Sequence, residues 1–264
     1  MIQIAHSMSD VQRELSRRHI QRQSRRPFGL RPASGDTLGP TLRAVGTIRS
    51  LHMAHAGVTL GTGVAAWADQ SGVGDANRNE TQATGANQPS VTTGANFAGR
   101  KVLQFDGTDY LQSGTWSAAN TQPAMLYFVF RQTSAAGTQI FNFSNTGANY
   151  HYVPLTAGTG LITCNAGSSI SVGVSALNVT TVLCWELNGA SSKAYINAIT
   201  TPTATGACGA FNCPGFSTGA SNTGANGFIG QYGTRAVYAG THSAGERASV
   251  MNALGAYYGV TIAP

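Results

Sequence analysis

The stretch Phe105-Asp106-Gly107-Thr108-Asp109-Tyr110-Leu111 decides how the chain is read. Lys101-Val102-Leu103-Gln104-Phe105 alternates as a half-buried strand does, and Tyr110-Leu111 begins a return. Asp106-Gly107 sits at the corner, where Gly accepts positive φ and Asp hydrogen-bonds the backbone two residues on. The stretch therefore reads as one tight Asp-Gly turn between two strands. Outward from it lie Trp67-Ala68-Asp69-Gln70-Ser71-Gly72 on one side and Glu186-Leu187-Asn188-Gly189-Ala190-Ser191-Ser192-Lys193 on the other.

From residue 51 onward the same β pattern holds. Strands are expected at 101–105, 109–113, 124–132, 138–143, 149–154, 160–164, 169–174, 179–187, 192–198, 227–232 and 234–239. Their spacing of roughly eight to twelve residues suits a sandwich or barrel. The near-continuous apolar runs at 124–130 and 179–187 predict central strands covered on both faces. Thr-Gly-Ala-Asn begins at 84, 93, 146 and 223. Those intervals are irregular, so the tetrapeptide reads as reused turn chemistry, with Gly and Asn in left-handed positions. A closing helix follows a Ser243…Glu246 capping box, with Val250, Leu254 and Tyr257 on one face and Gly259 as its C-terminal cap.

Charge divides the chain. Residues 1–50 hold nine Arg against Asp10, Glu14 and Asp36, a net +6, whereas residues 51–264 hold seven basic and seven acidic groups. A helix is expected over 8–26, with Met8, Val11 and Leu15 as a narrow apolar stripe. Arg13, Arg17, Arg18, Arg22, Arg25 and Arg26 cover its other sides. Such a stripe buries too little to fold alone, so the segment reads either as a frayed, solvated tail or, more sharply, as an anchor that orders on a partner. Residues 27–50, with Pro27, Pro32 and Pro40, read as a strap, and the domain boundary is placed near residue 50.

No run approaches eighteen apolar residues, so no membrane span is expected. No basic region precedes an apolar core at the N-terminus, so no secretion signal is read. Cys164, Cys184, Cys208 and Cys213 are then expected as reduced thiols by default, with a bond between Cys208 and Cys213 left open.

The ordered set Trp67, Asp69, Ser71-Gly72, Gln88-Pro89, Phe105-Asp106-Gly107, Asp109-Tyr110-Leu111, Glu186, Asn188-Gly189, Lys193, Tyr195, Ile229-Gly230, Gly240, Ser243, Glu246 and Tyr257-Tyr258-Gly259 resembles the concanavalin A-like lectin/glucanase (LamG-type) domain. The variant it is most similar to is found in bacteriophage virion proteins. The resemblance spans about residues 50–262 and implies an all-β jelly roll of two antiparallel sheets. That fold hosts lectins, hydrolases, adhesion modules and structural spacers, so it does not assign a function.

A glycosidase needs two carboxylates across one cleft. Residues 51–264 offer Asp69, Asp75, Glu80, Asp106, Asp109, Glu186 and Glu246, with no paired run, so no enzymatic activity is expected. His52, His55, His151 and His242 form no nucleophile–base constellation. Related domains hold calcium at a sandwich edge, which makes Asp69, Asp106 and Asp109 candidate ligands, although capping of their own turns is preferred. No other cofactor is expected. A sugar platform is sought among Trp116, Tyr150, Tyr152 and Tyr232, with Asn145, Asn149 or Asn226 beside it.

The expected function is a bacteriophage virion structural protein assembled in the host cytoplasm. Its arm (1–49) would fix it to capsid or tail subunits, and the sandwich would be displayed as decoration, fibre or adhesion module, as part of a symmetric assembly. The alternative is a protein whose sandwich binds host-surface carbohydrate. The arm lacks interleaved aromatics, which ranks nucleic acid below a protein partner.

Overall fold

The computed structural model describes residues 36–147 and 150–264. The predicted helix at 8–26, its arginines and Asn149 lie outside them. The compact unit is Leu38–Pro264. In chain order it comprises α1 (Leu38–Arg43), β1 (Thr47–Met53), β2 (Val58–Leu60), β3 (Val64–Trp67), β4 (Glu80–Thr81), β5 (Ser90–Gly94), β6 (Arg100–Asp106), β7 (Leu111–Ser113), β8 (Ala124–Gln132) and β9 (Gln139–Phe143). There follow β10 (Tyr152–Leu155), β11 (Leu161–Asn165), β12 (Ser169–Ser175), β13 (Thr181–Leu187), β14 (Ser192–Ile196), β15 (Ala204–Gly206), β16 (Ser217–Thr218), β17 (Ile229–Ala239) and α2 (Ala244–Tyr258).

The strands form two antiparallel sheets. The eight-stranded sheet runs β15-β14-β13-β8-β17-β6-β5, with β1 also paired to β17. The nine-stranded sheet runs β12-β11-β10-β9-β16-β7-β4-β3-β2. The expected all-β sandwich with a short C-terminal helix is what forms.

Side-chain alternation explains the layering. On β8, Leu126, Phe128 and Phe130 enter a core shared by both sheets, with Phe141, Val153, Ile162 and Trp67 from the facing one. The intervening Met125, Tyr127 and Val129 enter a second core, closed by Leu38 and Leu42 of α1 and by Val250, Leu254 and Tyr258 of α2. The continuous apolar run at 124–130 thus serves two cores. The capping box of α2 forms as read, Ser243 Oγ accepting from Glu246 N at 3.2 Å, and Gly259 closes the helix at φ 71°.

Four sequence expectations change. The corner at Asp106-Gly107 is not a hairpin. β6 belongs to one sheet and β7 to the other, so the turn carries the chain across the sandwich. Its local chemistry is as read, with Gly107 at φ 101° and Asp106 Oδ1 accepting from Thr108 N and Oγ1 at 2.8 Å. Second, the boundary near residue 50 falls inside β1. The segment 38–50 packs because Leu38 and Leu42 are buried and β1 pairs with β17 from Thr47↔Ala239 to Met53↔Thr234. Third, 227–232 and 234–239 are one strand, β17. Its register shifts against β8 between Tyr232 and Thr234; its first part pairs with β6 and its second with β1. Fourth, among the described residues left-handed Gly and Asn occur together only in the Thr-Gly-Ala-Asn copy at 223, at Gly224 (φ 78°) and Asn226 (φ 56°). The copies at 84 and 93 run into 3-10 turns, and the copy at 146 enters residues outside the described ones.

All four cysteines are free and buried. Cys208 and Cys213 are therefore not bonded to each other. Cys208 Sγ instead donates to the Cys164 carbonyl at 3.1 Å. Burial pushes the thiols of Cys184 and Cys213 up to about 12, which leaves them inert at neutral pH.

Candidate functional site: the open face of the nine-stranded sheet

Both faces of the eight-stranded sheet are covered, one by the shared core and one by the helices. Among the described residues, the nine-stranded sheet carries a core on its inner face only; on its outer face Thr81, Gln112, Tyr152 and Asn165 are at least partly exposed, whereas Ser217 is buried and donates to the Ser221 carbonyl at 3.1 Å. Its outward side chains line up across the strands through the ladder register. Thr81 lies opposite Gln112, Gln112 opposite Ser217, Ser217 opposite Phe143, Phe143 opposite Tyr152, and Tyr152 opposite Asn165. The same row continues to Thr59 on β2 and to Ser169 on β12.

Two features stand on this row. The first is aromatic. Phe143 stacks on Tyr150 at 5.2 Å and contacts Tyr152 at 5.5 Å, Tyr150 lies 5.4 Å from Tyr152, and Phe211 reaches Tyr150 at 6.2 Å. Tyr150, Tyr152 and Phe211 are half-exposed. The Tyr152 phenol is pushed up by burial and by the neighbouring Tyr150. The second is an open groove of about 300 Å³ lined by Thr81, Gln82, Tyr110 and Gln112 among others. Gln112 donates through Nε2 to the Asn145 carbonyl at 2.9 Å, which fixes the amide beside the groove.

Of the aromatics read from sequence, the structure brings Tyr150 and Tyr152 together and removes the other two. Trp116 is buried, packed on Phe216 at 5.3 Å, with the Arg78 guanidinium 4.1 Å over its ring. Tyr232 is wholly inside the shared core. Neither is available as a platform. Phe143 and Phe211 were not singled out, since a Phe within an apolar strand or a Gly-rich loop carries no outward signal. Gln112 was missed because only the register reveals its neighbours.

The acidic candidates separate. Asp69 accepts from Leu51 N at 2.6 Å and from Ser71 Oγ, and so ties the segment after β3 to β1. Asp106 caps its own turn, and Asp109 Oδ2 accepts from Asp106 N at 3.1 Å. No group of three or more His, Cys, Asp or Glu converges among the described residues. The remaining acids are also engaged. Asp75 takes Ser117 N and Oγ at 3.0 Å, Glu80 meets Arg235, Glu186 faces Lys193 at 3.5 Å, and Glu246 closes the capping box.

Asp109, beside Tyr110 of the groove, has its carboxyl pushed up to about 6 by burial and then by Asp106. The native state therefore holds this proton more tightly than the unfolded chain, and stability falls as pH rises from about 4 through about 6. Asp109→Asn keeps an acceptor for Asp106 N and removes that loss. It is expected to raise stability by about 1 kcal/mol near neutral pH, discounted for solvent screening, and to give no gain at about pH 4. Thermal melts at the two pH values check this; equal gains at both would refute the assignment.

The fold and this face define a class, a two-sheet β sandwich with one sheet face open. No family model matches the chain, and no curated protein matches it. Solved structures do. Domain 4 of an extracellular arabinanase from Geobacillus stearothermophilus, in complex with arabinotriose, is similar at TM-score 0.52 and 12% identity, covering 78% of this chain and 99% of that one. The Trypanosoma rangeli sialidase in complex with sialic acid is similar at TM-score 0.56 and 12% identity, covering 83% of this chain and 37% of the sialidase. The binding domain of Paraclostridial Mosquitocidal Protein 1 is similar at TM-score 0.55 and 11% identity, covering 80% of this chain and 52% of that one. At these identities the shared property is the fold.

Proposed function

We propose that the chain is a glycan-binding module whose ligand lies on the open face of the nine-stranded sheet. The observation that carries this reading is the row that places the half-exposed Tyr152, beside Phe143, in line with the amide of Gln112 and the hydroxyl of Thr81. Aromatic rings offer stacking to the apolar faces of sugars, and the polar row offers hydrogen bonds to their hydroxyls. The similar arabinanase domain, described with arabinotriose, supports the reading. A glycan array probed with the full chain tests it. Tyr152→Ala is expected to cut affinity for the best ligand about tenfold, or about 1.4 kcal/mol, with an unchanged melt. An unchanged affinity overturns the site.

The engagement of every carboxylate in 51–264 supports a binding rather than a hydrolytic role. We further propose a LamG-type sandwich on a bacteriophage virion, held by its N-terminal arm and adhering through this face. The +6 charge confined to residues 1–50 supports it. Removal of residues 1–37, which leaves the compact unit Leu38–Pro264 whole, is expected to abolish attachment to the particle while the sandwich still folds and melts cooperatively. Incorporation at the full-length level counts against the anchor.

A further inference from the structure

We infer that the ligand of this face is an uncharged oligosaccharide of several units, laid across the strands along the row from the groove to the tyrosines. The inference rests on the glycan-binding reading above and adds the class of glycan.

Charge is the first argument. In all nine strands of this sheet the sole charged side chain is Glu80, which turns inward to Arg235. Most of the surrounding connections are bare as well, because residues 81–99, 110–130, 132–185 and 194–234 contain no Asp, Glu, Lys or Arg, while Asp69, Asp75, Asp106 and Asp109 at the remaining connections are held by the hydrogen bonds described above. These spans include the whole segment that carries Phe143, Tyr150 and Tyr152, and the loop that carries Phe211. Every groove residue named above falls within them as well. Arg78, the nearest basic residue in sequence to Glu80 and Thr81, is buried over Trp116 and donates to the Arg49 carbonyl at 2.7 Å. A carboxylated or sulfated sugar docked here would lose hydration with no cation in return. A neutral sugar loses only hydroxyl–water bonds, which the accessible amides of Gln112 and Asn165 and the hydroxyl of Thr81 replace.

Length is the second argument. Gln112 in the groove and Tyr152 in the aromatic patch are separated by three inter-strand steps, through Ser217 and Phe143. At about 4.8 Å per step they stand roughly 14 Å apart. One sugar ring cannot touch both, whereas a short chain can.

The test uses the full-length protein and reads, for each glycan, the part of binding that Tyr152→Ala and, separately, Gln112→Ala remove. Both side chains are partly exposed, and a melt confirms that each variant is folded. This difference excludes whatever the arginines of 1–50 bind. The neutral probes are linear arabino-, xylo- and β-gluco-oligosaccharides with their monosaccharides; the anionic probes are oligogalacturonate and polysialic acid. The expected result is a loss of about tenfold or more on a neutral oligosaccharide for each variant, with affinities that differ little between about 0.05 and about 0.5 M NaCl and much weaker monosaccharide binding. Variant-sensitive binding of an anionic probe that weakens with salt overturns the neutral class and leaves the glycan reading standing. Variant-sensitive binding of a monosaccharide as tight as of its oligomer overturns the multi-unit ligand. If neither variant changes binding of any probe, the glycan reading falls and this inference falls with it.

Discussion

Glu80→Ala is expected to destabilise the sandwich by about 3–5 kcal/mol, because it strands a guanidinium in the shared interior. Arg235 on β17 is fully buried, meets Glu80 through Nη2, donates to Thr218 Oγ1 and His52 Nδ1 at 2.9 Å each, and covers the Phe216 ring at 4.0 Å. Burial first and Arg235 second hold His52 well below its ordinary value, so the ring is neutral. Its Nδ1 accepts from Arg235, which places its proton on Nε2. Burial likewise pushes the Glu80 carboxyl up, with Arg235 opposing. His52 cannot supply the compensating charge once Glu80 is gone. For a unit of this size the loss corresponds to a fall in Tm of roughly 10 °C. The pair Glu80→Leu with Arg235→Met should recover most of it, since a buried pair exchanged for apolar groups of similar volume is often close to neutral. A single-variant melt within about 2 °C of the parent refutes the account.

Gly227→Ala is the second large effect. A Cβ at Gly227 would lie 1.9 Å from the Gly107 carbonyl oxygen, a backbone atom that no side-chain rotation can clear. The Asp106-Gly107 corner must then move, and with it Tyr110, whose N–H donates to the Asn87 carbonyl at 3.0 Å and whose side chain lines the groove. The expected cost is about 3 kcal/mol, the upper part of the range for overpacked sites. On the glycan-binding proposal, affinity at the groove should fall in the same variant under conditions where it remains folded. Gly72→Ala provides a contrast. There a Cβ meets nothing within 4 Å, so only its positive φ of 84° is strained. A Gly227→Ala melt no lower than that of Gly72→Ala contradicts the close-contact argument.

The sandwich was legible wherever a strand announces itself by alternation or apolar density. β8 and β13 are bounded almost as read, and the Ser243–Glu246 box marks the start of α2 without help from tertiary contacts. The short strands β2, β4, β15 and β16 escaped, because two or three residues carry no period. β1 escaped for a different reason. Thr47-Ile-Arg-Ser-Leu-His-Met follows three prolines and carries Arg49 and His52, yet it pairs with β17 and delivers Leu51 and Met53 to the second core. Arg235 shows the limit most clearly, since nothing local says that an arginine between Thr234 and Ala236 will be wholly buried. For the site, the two tyrosines were visible as aromatics near strand ends, but Trp116 was equally visible and is buried. What separates them is the cross-strand register, which a list of residue types does not contain.

The alternation that builds the sheets also divides labour between neighbouring residues. Along β10, Val153 and Leu155 are locked into the shared core, while Tyr152 and Pro154 look the other way. The same partition holds between Leu111 and Gln112, and between Cys164 and Asn165. Substitutions at the exposed positions of the outward set leave the interior untouched, so this face can change its chemistry without cost to the scaffold. The exposed part of that face is thus where a substitution disturbs the frame least.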